Sequence, residues 1–319
     1  MITAPFTVGQ ETHIFNSAAT AGGDVVMVGI YSGSATFGNT VLTSTGLFDG
    51  FVAKYRPATG AFVWALGMSG PGNDNALSVA VSGNNIYVAG NFAGPALGLG
   101  SVSVVSAGST DGFIAKLTDT GNSAAFIWAN RVGNGSEDGL DQVAALGSTV
   151  YVKGTFVGTI PRPLPVVISN LDGQNFVLKL TDTGPTGTFD WGMTCRPTIG
   201  ALAAGPTGAY IGGGFNRSAR FGSHLLQTGI NGVYEDEAYV AKLYDGGTSA
   251  YYEWARSMGG TSSNDFVNAL AVRGNSVYAA GSTVGTITDF GVAGTSVAHY
   301  APTTPDVFFF KINDGGVNN

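Results

Sequence analysis

The 319 residues carry 14 basic and 21 acidic side chains, a net charge of −7 and a pI near 4.8, a balance that argues against nucleic acid or an anionic membrane surface as the main partner. Fifty glycines, sparse charge (11%) and 44% hydrophobic residues argue against a disordered chain. The lone Cys195 can form no internal disulfide and lacks the companions of a thiolate metal site, and no run of apolar residues is long enough to span or insert into a bilayer.

Taken from its start, the chain shows no basic segment followed by an apolar one, so no signal peptide is visible. Either the protein is cytosolic or the sequence is the mature form of a secreted one, and its Gly/Ser/Thr-rich, charge-poor character favours the second. From residue 50 onward one pattern recurs. Lys54, Lys116, Lys179, Lys242 and Lys311 stand 62 to 69 residues apart, and all four tryptophans, Trp64, Trp128, Trp191 and Trp254, keep the same step. A period held over five units means one supersecondary module used five times, which favours a single domain over 1–319.

Each unit reads as four short strands. In the second they are Asn75–Ser82, Asn85–Gly90, Gly112–Leu117 and Ala125–Arg131, rich in β-branched and aromatic residues and punctuated by Gly, Asn, Asp and Ser. No window of ten or more residues keeps a 3.6-residue period, so almost no helix is expected. Gly29, Gly90, Gly154, Gly213 and Gly281 mark positions of turning or close packing. Aligned on the second strand, Ala19, Ala80, Ala144, Ala203 and Ala271 share one position of the first strand, as a crowded central axis requires. The last unit stops after its third strand, Val307–Ile312, while Ala4–Gly9 resembles Trp64–Gly67 with Phe6 in the tryptophan's place. The N-terminal segment can therefore complete the last unit and close a ring. The expectation is an all-β, five-bladed β-propeller with four antiparallel strands per blade.

Units of the form Asp-Gly-Phe-Val-Ala-Lys…Trp-Ala…Gly-x-x-Asn-Asp-x-Ala…Ile-Tyr-Val-x-Gly resemble the bacterial β-propeller repeat over essentially the whole chain. The likeness is clearest from Asp111-Gly112-Phe113 to Trp128 and weakest at Glu237-Ala238-Tyr239. It implies an extracellular or cell-surface propeller, often an accessory part of a larger adhesin or enzyme, and carries no catalytic residues.

Candidate chemistry lies in the loops. Asn73, Asp74, Asp138, Asp141, Asn264 and Asp265 cluster where a fourth strand leads to the next first strand. Such oxygens can hold Ca²⁺ or cap their own turns. No other cofactor is indicated. The five lysines and the tryptophans, used alike in every unit, read as packing devices between blades. Departures from the repeat point better to function. The third unit inserts Thr159–Pro165, a proline-rich stretch. The fourth loses the acidic loop and gathers Arg196, Arg217, Arg220 and His224, a basic set suited to a carboxylate, sulfate or phosphate. The fifth is lengthened around His299 and Tyr300. No nucleophile elbow, phosphate loop or axial carboxylate pair is present, so an enzyme is not expected. The leading expectation is a binding or adhesion module for a glycan or protein. A structural spacer and an accessory domain of a polysaccharide-active hydrolase are the alternatives.

Overall fold

The computed structural model describes residues 11–160, 168–169, 174–228, 236–260, 265–284, 287–289 and 305–314. The chain divides into two compact units, 1–170 with 177–189 and 171–176 with 190–319. The described residues are all-β, without helix. The first sheet runs in the order Thr12–Ala19, Val25–Tyr31, Asp49–Arg56, Ala61–Met68, and the second pairs Asp74–Ser82, Asn85–Ala93, Thr110–Asp119 and Ala124–Val132 in that order. Gly139–Leu146, Thr149–Thr155, Asn175–Asp182 and Gly187–Cys195 make the third. The fourth joins Thr198–Gly205, Gly208–Asn216, Asp236–Asp245 and Ala250–Gly260, with the short Ile287–Asp289 added at its edge. The fifth holds Phe266–Arg273, Ser276–Val284 and Pro305–Asn313. All these pairings for which the register is described are antiparallel. The four-strand module read from the sequence is thus the module that forms.

Register follows the hydrophobic pattern. Ala80, Ala144, Ala203 and Ala271 each stand opposite the tyrosine of the second strand, Tyr87, Tyr151, Tyr210 and Tyr278. Every first strand carries a β-bulge just before this point, between Ile14 and Asn16 in the first repeat and between Ala76 and Ser78 in the second. The glycine opposite the bulge is obligatory. A Cβ at Gly29, Gly90, Gly213 or Gly281 would stand 1.8–2.0 Å from the carbonyl oxygen of His13, Asn75, Thr198 or Phe266. These glycines are therefore sites of close packing inside a strand. The bulge residues also tie neighbouring first strands together, with Asn16 Oδ1 accepting from Val79 N (3.3 Å) and Ser78 Oγ accepting from Val143 N (3.1 Å).

Between second and third strands the sequence reading missed an element. Ser34–Phe37 with Thr40–Thr43, Ala96–Leu99 with Val102–Val105, Thr159–Ile160 with Ile168–Ser169, and Ser218–Phe221 with His224–Gln227 form two-stranded ribbons. The first, second and fourth of these bury alternate side chains, as Phe37, Leu99 and Phe221 do, so four residues suffice. The proline-rich insertion begins in the third ribbon, at Thr159–Ile160, and residues 161–167 lie outside the described ones.

The lysines and tryptophans brace one repeat to the next. Lys54 Nζ lies 2.6 Å from Asp119 Oδ2, and Trp64 Nε1 donates to Asp119 Oδ1 at 3.2 Å. One repeat later Lys116 and Trp128 meet Asp182 at 2.6 and 3.2 Å, joined by Tyr87 Oη at 2.8 Å. Trp191 donates to Asp245 at 3.1 Å. Lys242, Trp254 and Tyr210 all reach Asp314. The accepting aspartate also caps its own turn through the amide two residues on, at Gly121, Gly184 and Gly247. Burial raises the Asp182 and Asp314 carboxyls, but the lysine, tyrosine and tryptophan donors outweigh it and hold both below the ordinary range. The cations are 4–6% exposed, so the pairs are inside the protein.

Candidate functional site

The acidic residues of the candidate loops are held in different ways. Asp138 accepts from the amides of Asn134 (2.6 Å) and Val157 (3.1 Å), and Asp141 Oδ2 lies 2.9 Å from Lys153 Nζ. Asn73 is exposed and contributes its backbone, bridging Phe48 and accepting from Ala93 N. Asp265 is buried, and Asn264 lies outside the described residues. Among the described residues no group of three or more His, Cys, Asp or Glu side chains is arranged to hold a metal ion.

What the sequence did not suggest is that these aspartates are paired with an acid on the preceding third strand. Asp74 N donates to Phe48 O, Asp138 N to Thr110 O and Asp265 N to Asp236 O. The next residue on the third strand is in each case an acid: Asp49, Asp111 and Glu237. Asp49 and Asp74 are both 0% exposed. Asp49 Oδ2 accepts from Thr45 N at 2.7 Å, while Asp49 Oδ1 and both oxygens of Asp74 lack a well-formed hydrogen bond. Burial, then the Asp49 charge, push the Asp74 carboxyl up to about 7, although the Gly70 and Ala93 amides draw it partly back. Asp49 and Asp138 are raised by burial as well.

The fourth repeat replaces this pair. Gln174 and Pro197 stand at the two acidic positions, and Gln174 is exposed. The loop is held instead by neutral donors: Asn175 Nδ2 to Pro197 O (3.1 Å), Tyr239 Oη to Thr198 O (3.2 Å), Tyr252 Oη to Thr194 O (3.5 Å) and Cys195 Sγ to Pro197 O (3.5 Å). Burial lifts the Tyr239 and Tyr252 hydroxyls well above their usual range, so both remain donors. Arg196 is thereby carried, exposed, on a fixed loop.

Beside that loop lies a cavity of about 340 Å³, lined chiefly by Arg196, Asn216, Ser218, Asp236, Phe215 and Phe266. The cross-strand pair at its floor differs from repeat to repeat. In the second repeat Asn75 and Asn91 are cross-strand partners, and Asn75 Nδ2 donates to Asn91 Oδ1 at 2.7 Å. In the fourth the same partners are Thr198 and Gly214, which lack that pair of amides, and both line the cavity. Phe266 covers Gly214 so closely that a Cβ there would stand 2.7 Å from its ring. Asn216 Nδ2 donates to Asp236 Oδ1 at 2.9 Å, fixing an amide and a carboxylate side by side on the wall. An aromatic flank beside a paired amide and carboxylate, with a guanidinium opposite, is a surface able to exchange several hydrogen bonds with a polyhydroxyl ligand.

Of the basic set read from the sequence, Arg196 lines the cavity, Arg217 joins two lining residues, and Arg220 lies on the exposed face of the ribbon with Ser218. His224 does not join them: its Nε2 lies 3.2 Å from Tyr252 O at the far end of the ribbon. His299 and Tyr300 lie outside the described residues. Asn216, Ser218, Asp236 and Phe266 were not singled out from the sequence, because each is an ordinary residue until the fold brings them to one cavity. No family model matches the chain, and no curated protein matches it.

Proposed function

We propose that the chain is a non-catalytic, extracellular binding module: a five-bladed propeller whose fourth repeat presents a glycan-binding cavity. The observation that carries this reading is a cavity lined by Arg196, Asn216, Asp236 and Phe266 beside a loop held by neutral donors, in the repeat that lacks the acidic pair. Preorganisation of that kind favours binding, because little conformational entropy is lost on association. The resemblance to bacterial propeller repeats supports the cell-surface setting. The ring reading rests on the likeness of Ala4–Gly9 to Trp64–Gly67, and those N-terminal residues lie outside the described ones.

The test is a glycan array of neutral and acidic structures, followed by calorimetry on the ligands retained. Asp236→Ala and Asn216→Ala should each weaken binding about tenfold, the loss of one to two hydrogen bonds, with the melting temperature within a few degrees of the parent. Binding that survives both substitutions would move the site elsewhere. The repeated Lys–Asp–Trp brace favours a second reading, a rigid spacer in a larger surface protein, and an array without hits would select it.

A further inference from the structure

Just before the third strand the main chain performs the same duty in three repeats. Phe48 O accepts from Asp74 N at 2.8 Å, Thr110 O from Asp138 N at 2.9 Å, and Asp236 O from Asp265 N at 2.8 Å. A carbonyl does this whatever side chain its residue carries, so the joint asks for no particular residue there. The side chains differ all the same. Asp236 is the cross-strand partner of Asn216, where the second repeat pairs Thr110 with Ala93 and the fifth pairs Pro305 with Val284. Of these three pairs the fourth repeat's alone has an amide and a carboxylate, and both of its residues are exposed. The fold does not require that pair.

Its geometry leaves groups open to a ligand. Asn216 Nδ2 donates to Asp236 Oδ1 at 2.9 Å, which fixes the carboxylate while Oδ2 keeps no hydrogen bond or ion pair among the described residues. The second N–H of the amide is left over as well. Both residues line the cavity with Ser218 and the half-buried Phe266, so an acceptor and a donor stand side by side near a hydroxyl and an aromatic ring. The charged residues of the lining are Arg196 and Asp236, one of each sign, and Arg217 and Arg220 are not part of it. A wall of that balance favours neither an anion nor a cation, whereas a hydroxyl can both donate and accept.

Resting on the binding reading above, we infer that the cavity takes a neutral sugar through two neighbouring hydroxyls, Asp236 accepting from one and Asn216 donating to the other. Phe266 then lies along the apolar face of the sugar ring. A volume of about 340 Å³ is near the lower end of small-molecule cavities, about 300–1,000 Å³, and suits a short segment of glycan.

The experiment is calorimetry on the full chain with tetrasaccharides of glucose, mannose and galactose, each beside the tetrauronate of the same sugar. At least one neutral tetrasaccharide should bind, with its uronate about tenfold weaker and the neutral affinity changed less than about twofold by added salt. Monodeoxy glycosides of the sugar retained should reveal two adjacent hydroxyls whose removal each costs about tenfold. Asp236→Asn exchanges an acceptor for an amide of the same shape and should also weaken binding about tenfold. Asn216→Ala combined with Asp236→Thr restores the pair of the second repeat. This double variant should lose binding yet melt within a few degrees of the parent, because residue 236 keeps its carbonyl. Full affinity in either variant, a uronate bound as tightly as its neutral sugar, or a double variant that melts well below the parent would overturn the inference. If uronates alone bind and the double variant loses them, the cavity remains a glycan site and the neutral preference is wrong. If no tetrasaccharide binds while the array retains other glycans, the inference falls and the binding reading stands. If the array is empty too, both fall.

Discussion

At the scale of single residues the fold depends on an aspartate that gathers three donors. Asp182 takes Lys116, Trp128 and Tyr87, with side-chain exposures of 3% for the carboxylate and 5% for the lysine. Breaking one partner of a buried pair leaves the other charge without compensation, which costs about 3–5 kcal/mol. Asp182→Asn should therefore lower stability by about 3 kcal/mol in urea unfolding, whereas Lys116→Met combined with Asp182→Leu should lose less than either single change. An additive double variant would deny the coupling. Because the Asp182 carboxyl is held low in the folded state, its contribution is present above the ordinary aspartate range and fades as pH falls through the folded value. The lysines and tryptophans were legible in the sequence from their period alone. Their partner was not, because Lys116 has acids of its own repeat five residues before it and three after, Asp111 and Asp119, while the aspartate it meets belongs to the next repeat.

At the scale of elements, the joint between a third strand and the next first strand is set by a pair of acids. Where the first-strand aspartate is exchanged for Pro197, the third-strand acid is exchanged too, for Gln174. This joint loss is what two mutually dependent carboxyls should show: one buried carboxylate beside another is stable only when a proton or a cation is shared. Asp74, raised to about 7, binds a proton in the folded state that it releases near 4 when unfolded. The native state therefore holds more protons between those values, and stability falls as pH rises from about 4 to about 7. Tyr31 and Asp49 are the other titratable groups at this joint, and burial followed by the Asp49 charge raises the Tyr31 hydroxyl to about 12, so it stays neutral throughout. Asp74→Asn should flatten that slope in a pH series of melts. A melting temperature that rises with added Ca²⁺ at pH 8 would assign the pair to a cation instead. The strands themselves were readable because alternation and glycine punctuation act locally. The ribbons were not, since four residues with two buried side chains give no distinctive period.

At the scale of the whole molecule, the repeats differ in how they are joined. Asp119, Asp182, Asp245 and Asp314 each stand three residues after their repeat's lysine, but Pro57 occupies that position in the first repeat. Lys311, unlike Lys54, Lys116, Lys179 and Lys242, is exposed. A ring closed between the fifth repeat and the first would therefore lack the ionic brace and depend on main-chain pairing by Ala4–Gly9. Deleting residues 1–9 should then lower the melting temperature by more than 10 °C, because the edge strand Pro305–Asn313 would be left without a partner. An unchanged melt would exclude the ring register. The opposite end gives a sharper contrast over a single residue. Truncation after Asp314 leaves Lys242, Trp254 and Tyr210 with their acceptor and should be neutral within about 0.5 kcal/mol. Truncation after Asn313 removes that acceptor from the buried Lys242 and Tyr210 and the half-buried Trp254. Glu253, 2.7 Å from Lys242, retains part of the charge balance, so the expected cost is about 2–3 kcal/mol rather than the full value for an uncompensated ion. Equal stability of the two truncated chains in urea would mean that the brace at Asp314 contributes nothing to the fold.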